Sequence, residues 1–248
     1  MILPLLLAGI VSAQVHPGEV SRALESISVA GTEVTLRSTD GDEAVAEQVR
    51  RVLPRALRLA TRWGPLPASV ALTVHATHAG LESATRRVGN PWMRAWARLG
   101  AVDLQSPRTW SRGRATDEAL TQILAHEFTH CALFQATAGG GRAREIPLWF
   151  LEGMASVAAG ESHDAARAEA IGSPGSFLRT DPGVVYGTAD RAFRELVKRF
   201  GEDGVRQLLA RLGQGHAFPV AFRDALGVPL ADFEGDLVGR LPVLAVRD

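Results

Sequence analysis

Two kinds of hydrophobic pattern occupy the first part of the chain. Residues 32–37 and 70–76 alternate apolar and polar side chains, which is typical of strands with one buried face. Between them, apolar side chains recur with a helical period over residues 43–62, at Val45, Val49, Val52, Leu53, Ala56, Leu57 and Ala60. These patterns predict a small amino-terminal layer of mixed α and β structure.

Helical periodicity dominates the second half of the chain. An amphipathic helix is predicted over residues 117–136, and consecutive glycines at 139–141 end the pattern. Pro147 suits the first position of a second helix, whose apolar stripe consists of Leu148, Leu151, Met154, Ala155 and Ala158. A further helix is expected over residues 189–200, and glycines punctuate the helical pattern that follows it.

The segment between the two halves has a weaker pattern. Residues 78–98 have no clear period and contain Trp92 and Trp96, which are expected in the core because large aromatic rings are usually buried. Residues 100–105 are predicted to form an edge strand beside a cleft, where an extended peptide can pair with it.

The predicted helix over residues 117–136 contains the sequence His126-Glu127-Phe128-Thr129-His130. Residues four apart lie one turn apart on the same helix face, so the imidazoles of His126 and His130 can bind one metal ion. Glu127 projects beside that face, where a carboxylate can accept a proton from water activated by the metal. The alternative is two ordinary, partly buried histidines and a solvated glutamate. The spacing favours a zinc hydrolase site.

A catalytic zinc site has three protein ligands and an open position, whereas a structural zinc site has four. Downstream candidates for the third ligand are Glu145, Glu152, Glu161 and His163. Glu152 lies inside the second apolar helix, where burial of a carboxylate is costly unless it is paired or binds a metal. Glu145 precedes that helix, and Glu161 and His163 follow Gly160 in a polar stretch, so all three are expected in solvated loops. Glu152 is the predicted third ligand.

Two motifs give the chain a resemblance to a known family. They are His126-Glu127-x-x-His130 and Trp149-x-x-Glu152-Gly153-x-Ala155. They resemble those of the gluzincin zinc metallopeptidases, specifically the small bacterial proteins described as peptidase MA-like. The resemblance covers the chain from about residue 42 to the carboxyl terminus, but only the two motifs are specific.

The resemblance implies both chemistry and fold. Zn²⁺ is expected to be bound by His126, His130 and Glu152, with Glu127 as the general base in peptide hydrolysis. The sequence has no Gly-x-Met-Glu-Asn element, by which the large aminopeptidase branch holds a free amino terminus, so an endopeptidase is favoured. The expected fold class is α+β, as one zincin-like, thermolysin-like domain over residues 14–248. Residues 14–115 form its α+β part, with a small mixed sheet, and residues 116–248 form its mostly helical part with the zinc site.

A tetrahedral oxyanion needs a hydrogen-bond donor in addition to the metal. Tyr186, the one tyrosine of the chain, lies just before the helix predicted over residues 189–200, and similar family members have a tyrosine in a comparable place. Its other interpretation is a ring packed at a helix entrance with its hydroxyl hydrogen-bonded. His163 is the second candidate for the donor, against an ordinary surface histidine.

The amino terminus predicts the compartment. Residues 1–13 are almost wholly apolar and end in Val11-Ser12-Ala13, small residues of the kind that signal peptidase recognises, so cleavage after Ala13 would leave Gln14 first. About 20 residues are needed to span a bilayer, so a run this short predicts export, to the periplasm or outside the cell, without a stable membrane anchor. No lysine or arginine precedes Arg22, so the expected positive segment is missing.

Charge and cysteine content narrow the set of partners. Lys plus Arg and Asp plus Glu are both 27, so the formal net charge is zero and no nucleic acid partner is expected. Cys131, the one cysteine, is expected to be a buried thiol that faces away from the metal. The predicted partner is a peptide or protein substrate; the sequence leaves the oligomeric state open. The alternative functions are a zinc-containing binding or scaffold protein without turnover and a metal-free helical interaction protein.

Overall fold

The computed structural model describes residues 21–29, 31–39, 43–110, 115–138, 146–163 and 182–240. The predicted signal peptide at 1–13 and the glycines at 139–141 lie outside these ranges. The described strands are β1 (Ser21–Val29), β2 (Thr32–Thr39), β3 (Ser69–His75), β4 (Ala95–Arg98) and β5 (Ala101–Gln105). The described helices are α1 (Glu43–Ala60), α2 (His78–Thr85), α3 (Asp117–Thr137), α4 (Leu148–Ala159), α5 (Pro182–Gly213), α6 (Phe218–Leu226) and α7 (Leu230–Val238). None of these helices is long and apolar enough to cross a membrane.

The strands form one mixed sheet in the order β1-β2-β3-β5-β4. β2, β3 and β5 are parallel, whereas β1 and β4 pair antiparallel with their neighbours at the two edges. The prediction that residues 100–105 form the edge strand is therefore wrong, because β4 covers β5. Gly100 has a φ of 71°, which lets the chain turn tightly so that Arg98 pairs with Ala101.

The predicted amino-terminal α+β layer is confirmed. Alternate residues of β2 and β3 are buried on the face of the sheet that packs against the helices: Val34, Leu36, Val70, Leu72 and Val74. All seven apolar positions predicted for the first helix are buried along α1. α3 packs against the same core through Leu120, Leu124 and Phe128. The helix that carries the histidine motif is thus fixed against both α1 and the sheet.

A second core holds the helical half together. It is formed mainly by aromatic and aliphatic side chains of α4 to α7, including Trp149, Phe150, Phe193, Phe218, Phe222 and Phe233. The helix predicted over residues 189–200 is longer in both directions, since α5 begins at Pro182 and continues to Gly213 with a break at Gly201. Gly201 has a φ of 70° and a ψ of 174°, a conformation that favours glycine.

Candidate metal centre

α3 places the two histidines one turn apart. The hydroxyl oxygen of Thr116 caps the helix by accepting a hydrogen bond from the Ala119 amide at 3.1 Å. The four-residue spacing then sets the rings of His126 and His130 side by side, with ring centres 4.8 Å apart. Both side chains are buried, with 6% and 7% of their surfaces exposed. The helix therefore presents two imidazoles to one point, as the sequence predicts.

α4 brings the carboxylate of Glu152 to the same point. The Glu152 Oε2 atom lies 3.2 Å from Nε2 of His126 and 3.6 Å from Nε2 of His130. Glu152 is 7% exposed although the helix around it is apolar. Burial raises the pKa of this carboxyl group, but the two histidines reverse that effect and lower its pKa below the usual range. Glu152 is thus ionised where the imidazoles converge.

The three side chains form the metal-binding group found among the described residues, with one possible ligand atom from each and all three atoms within 4.8 Å of one another. Two imidazoles and one carboxylate are a donor set that suits a divalent transition metal. Both Nε2 atoms face one carboxylate oxygen, while the buried Nδ1 of His130 has no hydrogen-bond partner among the described residues. A cation at the convergence point would use all three ligand atoms, so the residues fit a metal.

Glu161 contacts Nδ1 of His126, the ring nitrogen that does not face Glu152. Its carboxylate oxygens lie 3.2 and 3.3 Å from Nδ1 of His126, and Oε2 lies 3.1 Å from Nε2 of His163. The prediction that Glu161 is a solvated loop residue is wrong, because Gly160 ends α4 with a φ of 69° and turns the chain back toward α3. The same expectation is wrong for His163, which is partly buried and lines the cleft beside Glu161. Glu145 lies outside the described residues.

The pKa of His126 reflects its position between two carboxylates. Burial alone lowers the pKa, but Glu161 and Glu152 together raise it well above the ordinary value of a histidine. Glu161 is also kept ionised, since the nearby histidines lower its pKa despite partial burial. A carboxylate that accepts a hydrogen from Nδ1 fixes the ring orientation and leaves Nε2 free to bind a metal.

Glu127 faces the adjacent cleft. It is partly exposed and lines a cavity of about 210 Å³ together with His126, Glu161, His163 and Tyr186. Desolvation in the cleft raises the pKa of Glu127 above the usual value of a glutamate, and the neighbouring histidines oppose this shift. A carboxylate with a raised pKa is a better proton acceptor than an ordinary one. The position and the chemistry both suit a base.

Tyr186 lies in the same cleft, on α5. Its ring stacks on His163 with centres 5.8 Å apart and meets the edge of His126 at 5.9 Å. The expectation that Tyr186 precedes its helix is wrong, because α5 begins at Pro182. Burial, followed by the charges of Glu152 and Glu127, raises the pKa of Tyr186 well above its usual value, so the hydroxyl remains a donor.

The structure also shows where Trp92, Trp96 and Cys131 lie. Trp92 is only partly buried and lines the cleft, and Trp96 is partly buried with the Arg87 guanidinium 3.4 Å above its ring, so the expectation that both belong to the core is wrong. Cys131 is fully buried, and its Sγ atom donates to the carbonyl of Arg98 at 3.3 Å. The expected buried thiol that faces away from the metal is confirmed.

No protein-family model and no curated protein matches the chain. A mutant of a two-domain M1 zinc metallopeptidase bound to L-arginine is 15% identical, with a TM-score of 0.51, over 92% of this chain and 54% of its own. The M1 zinc metallopeptidase from Deinococcus radiodurans is 15% identical, with a TM-score of 0.50, over 92% and 53%. Legionella pneumophila aminopeptidase A in complex with aspartic acid is 13% identical, with a TM-score of 0.51, over 82% and 26%.

These similarities define a class of fold. The chain has a mixed α+β fold similar to part of the M1 zinc metallopeptidases. It spans about half the length of the first two of these proteins and about a quarter of the third. Within that fold, the group formed by His126, His130 and Glu152 is a possible metal centre.

Proposed function

We propose that this protein is a zinc-dependent metallopeptidase that hydrolyses internal peptide bonds. The observation that carries the proposal is the convergence of His126, His130 and Glu152 on one point, with Glu127 beside them in an accessible cleft. Two histidines and one glutamate are the ligands of a known class of catalytic zinc sites that keeps a fourth position open. The similar structures are zinc peptidases by name, which supports the same reaction class.

The roles of the residues follow from their positions. Zinc, when bound, supplies Lewis acidity, which polarises a carbonyl and makes water acidic near neutral pH. Glu127 then accepts the proton of the attacking water on a carboxylate oxygen and passes it to the leaving amine. Tyr186 donates its hydroxyl hydrogen to the oxygen that becomes negative as the carbonyl is attacked. Glu161 is a positioning residue, because it acts only through the ring of His126.

Endopeptidase activity is the finer part of the proposal. The sequence has no Gly-x-Met-Glu-Asn element, so it gives no support to an aminopeptidase assignment. The cleft is bordered by β4, an edge strand that can pair with an extended peptide. An internal stretch of substrate is therefore the ligand that suits this cleft best.

Elemental analysis of the purified protein tests the metal centre directly. The expected result is one zinc per chain in the wild type and in Glu127→Gln, with loss or strong weakening of binding in His126→Ala and Glu152→Ala. Hydrolysis of an internally quenched peptide should fall by about 10²- to 10⁴-fold in Glu127→Gln, because that variant loses the base but keeps the ligands. Unchanged turnover in Glu127→Gln would refute the assignment of the base.

The other outcomes separate the alternatives. Zinc bound by the wild type without hydrolysis of any peptide would favour the zinc-containing scaffold protein. A wild type that binds no metal, after purification without chelators, would favour the helical interaction protein. The accessible Glu127 carboxylate speaks against a scaffold, because a purely structural zinc site does not need a base.

A further inference from the structure

Trp92 is a large aromatic residue on the wall of the candidate cleft. It lies just before the edge strand β4, and its ring meets the ring of Tyr186 edge to face, with centres 6.3 Å apart. Tyr186 in turn lies against His126, one of the candidate metal ligands. The Tyr186 ring thus connects Trp92 to the candidate metal centre. A side chain held against Trp92 would lie beside the bond that the site is proposed to cleave.

The side of the cleft around Trp92 is apolar. Met93 and Ala95 follow Trp92 along the chain and line the same cavity. Ile123 joins them from α3, where it lies one turn before Glu127 on the same helix face. Trp92 and Ile123 are only partly buried, so both keep surface that a ligand can cover. The cavity of about 210 Å³ is smaller than the pockets of about 300–1,000 Å³ that bind whole small molecules, so it suits one large apolar side chain.

Backbone hydrogen bonds hold the loop that carries Trp92 in one conformation. The carboxylate of Glu82 on α2 accepts hydrogen bonds from the amides of Gly89 at 2.7 Å and Asn90 at 3.0 Å. The Met93 amide donates to the carbonyl of Asn90 at 2.9 Å, which closes a turn around Trp92. The hydrogen bond from the Asn90 amide is the main cause that lowers the Glu82 pKa, so the carboxylate stays ionised. An aromatic wall that is already ordered loses little conformational freedom when a ligand binds.

We infer that Trp92 determines specificity by packing against a large apolar side chain of the substrate next to the scissile bond. The inference rests on the proposed peptidase function, because it names the substrate class of the same cleft. An aromatic ring packs well on both aliphatic and aromatic side chains. The aliphatic side chain of Ile123 offers a polar group no hydrogen bond in exchange for its lost water, so polar side chains are disfavoured there. The apolar residue can lie on either side of the scissile bond, and the position of cleavage distinguishes the two cases.

Three peptides measure this preference. Each is an acetylated pentapeptide amide of alanine in which the central residue is replaced by Phe, Leu or Asn. Leu and Asn have nearly the same shape, so a difference between them reports polarity rather than size. Calorimetric titration into zinc-loaded Glu127→Gln protein and into metal-free wild type measures binding without turnover. Incubation with zinc-loaded wild type, followed by mass spectrometry, shows whether the peptide is cut before or after the central residue.

The Phe and Leu peptides should each bind about tenfold or more tightly than the Asn peptide, in both metal states. Trp92→Ala and Trp92→Gln should abolish most of this preference, whereas Trp92→Phe should keep most of it because it retains an aromatic face. Trp96→Ala is the matched control. Trp96 alternates along β4 with the core residues Ala95 and Ala97, so it lies on the other face of the sheet, where it contacts Arg87. Its loss should leave the preference intact.

Three results would overturn the inference. The first is a preference that survives both Trp92→Ala and Trp92→Gln. The second is equal affinity for the three peptides, or no binding of any, in the proteins that retain Trp92. The third is cleavage at a bond that does not flank the central residue. Failure of the proposed function is a separate result, because it is read from zinc content and from hydrolysis. A protein that selects the apolar peptides through Trp92 but hydrolyses none of them would keep the subsite and reject the enzyme.

Discussion

Gly153 is the position where a single methyl group should disturb the candidate site most. It follows Glu152 on α4 and lies against α5. A Cβ atom at Gly153 would be 2.6 Å from the Cβ of Phe193 and 2.8 Å from the carbonyl carbon of Ala189, with the Ala189 carbonyl oxygen closer still. Two of these atoms belong to the backbone, so no rotation of a side chain can relieve the contact.

The expected size of the effect for Gly153→Ala follows from two opposing terms. Alanine is favoured over glycine inside a helix by about 1 kcal/mol. Overpacking in a well-filled core costs about 1–3 kcal/mol, and backbone contacts of this kind belong at the upper end of that range. The net result is a loss of about 2 kcal/mol in the free energy of unfolding. For a chain of this size, that loss lowers the melting temperature by about 4–8 °C.

Thermal unfolding followed by circular dichroism, in the presence of a chelator, tests this reasoning free of any bound metal. Gly235→Ala is the matched control, because Gly235 lies inside α7 on its exposed side and nothing lies within 4 Å of its added Cβ. This control should gain up to about 1 kcal/mol and melt slightly higher. The reasoning is refuted if Gly153→Ala is as stable as the wild type or more stable.

Three further changes have defined outcomes. Glu161→Gln should weaken zinc affinity by about 10- to 100-fold, measured by competition with a chelator, because His126 loses the carboxylate that orients it; unchanged affinity would contradict this role. Tyr186→Phe keeps the ring on His163 and removes the hydroxyl, so peptide hydrolysis should fall about a hundredfold or more while zinc content stays constant; a fall in zinc content as well would indicate a structural role. Asp117→Asn should lower stability at neutral pH, because hydrogen bonds from Arg51 and Gln48 lower the Asp117 pKa from 3.8 to about 2. The carboxylate is stabilised in the folded state above pH 3.8 and loses that advantage as the pH falls toward 2, so the difference between variant and wild type, followed by denaturant unfolding, should shrink over that interval.

The parts of the site that rest on local periodicity could be predicted from the sequence. His126 and His130 lie one helical turn apart whatever the rest of the fold does, and the apolar residues around Glu152 identify its burial as exceptional. Each of these predictions depends on one helix alone, α3 for the histidines and α4 for Glu152. Long-range packing then brings the two helices together, which the spacing alone does not encode.

The sequence did not predict the position of Glu161, strand β4 or the start of α5, because these features depend on chain reversals and on short elements. Glu161 follows the αL residue Gly160, and the polar sequence around it gives no sign that the chain turns back toward α3. β4 has only four residues, two of them alanine, so its alternation is too short to recognise and its β propensity is low. Val184 and Val185 before Tyr186 suggest a strand or loop, but Pro182 at the start of α5 was the available sign of a helix.

The candidate metal ligands come from two helices that are anchored mainly in different cores. α3 packs its Leu124 and Phe128 against the sheet, whereas α4 packs Trp149 and Phe150 into the helical half. The distance between the imidazoles and Glu152 is therefore set by how these two cores meet. Gly153 lets α4 lie close to α5, so a methyl group there pushes on the helix that carries Glu152 rather than on the histidines. A loss of stability in Gly153→Ala should for this reason be accompanied by weaker metal binding, whereas Gly235→Ala should change stability alone.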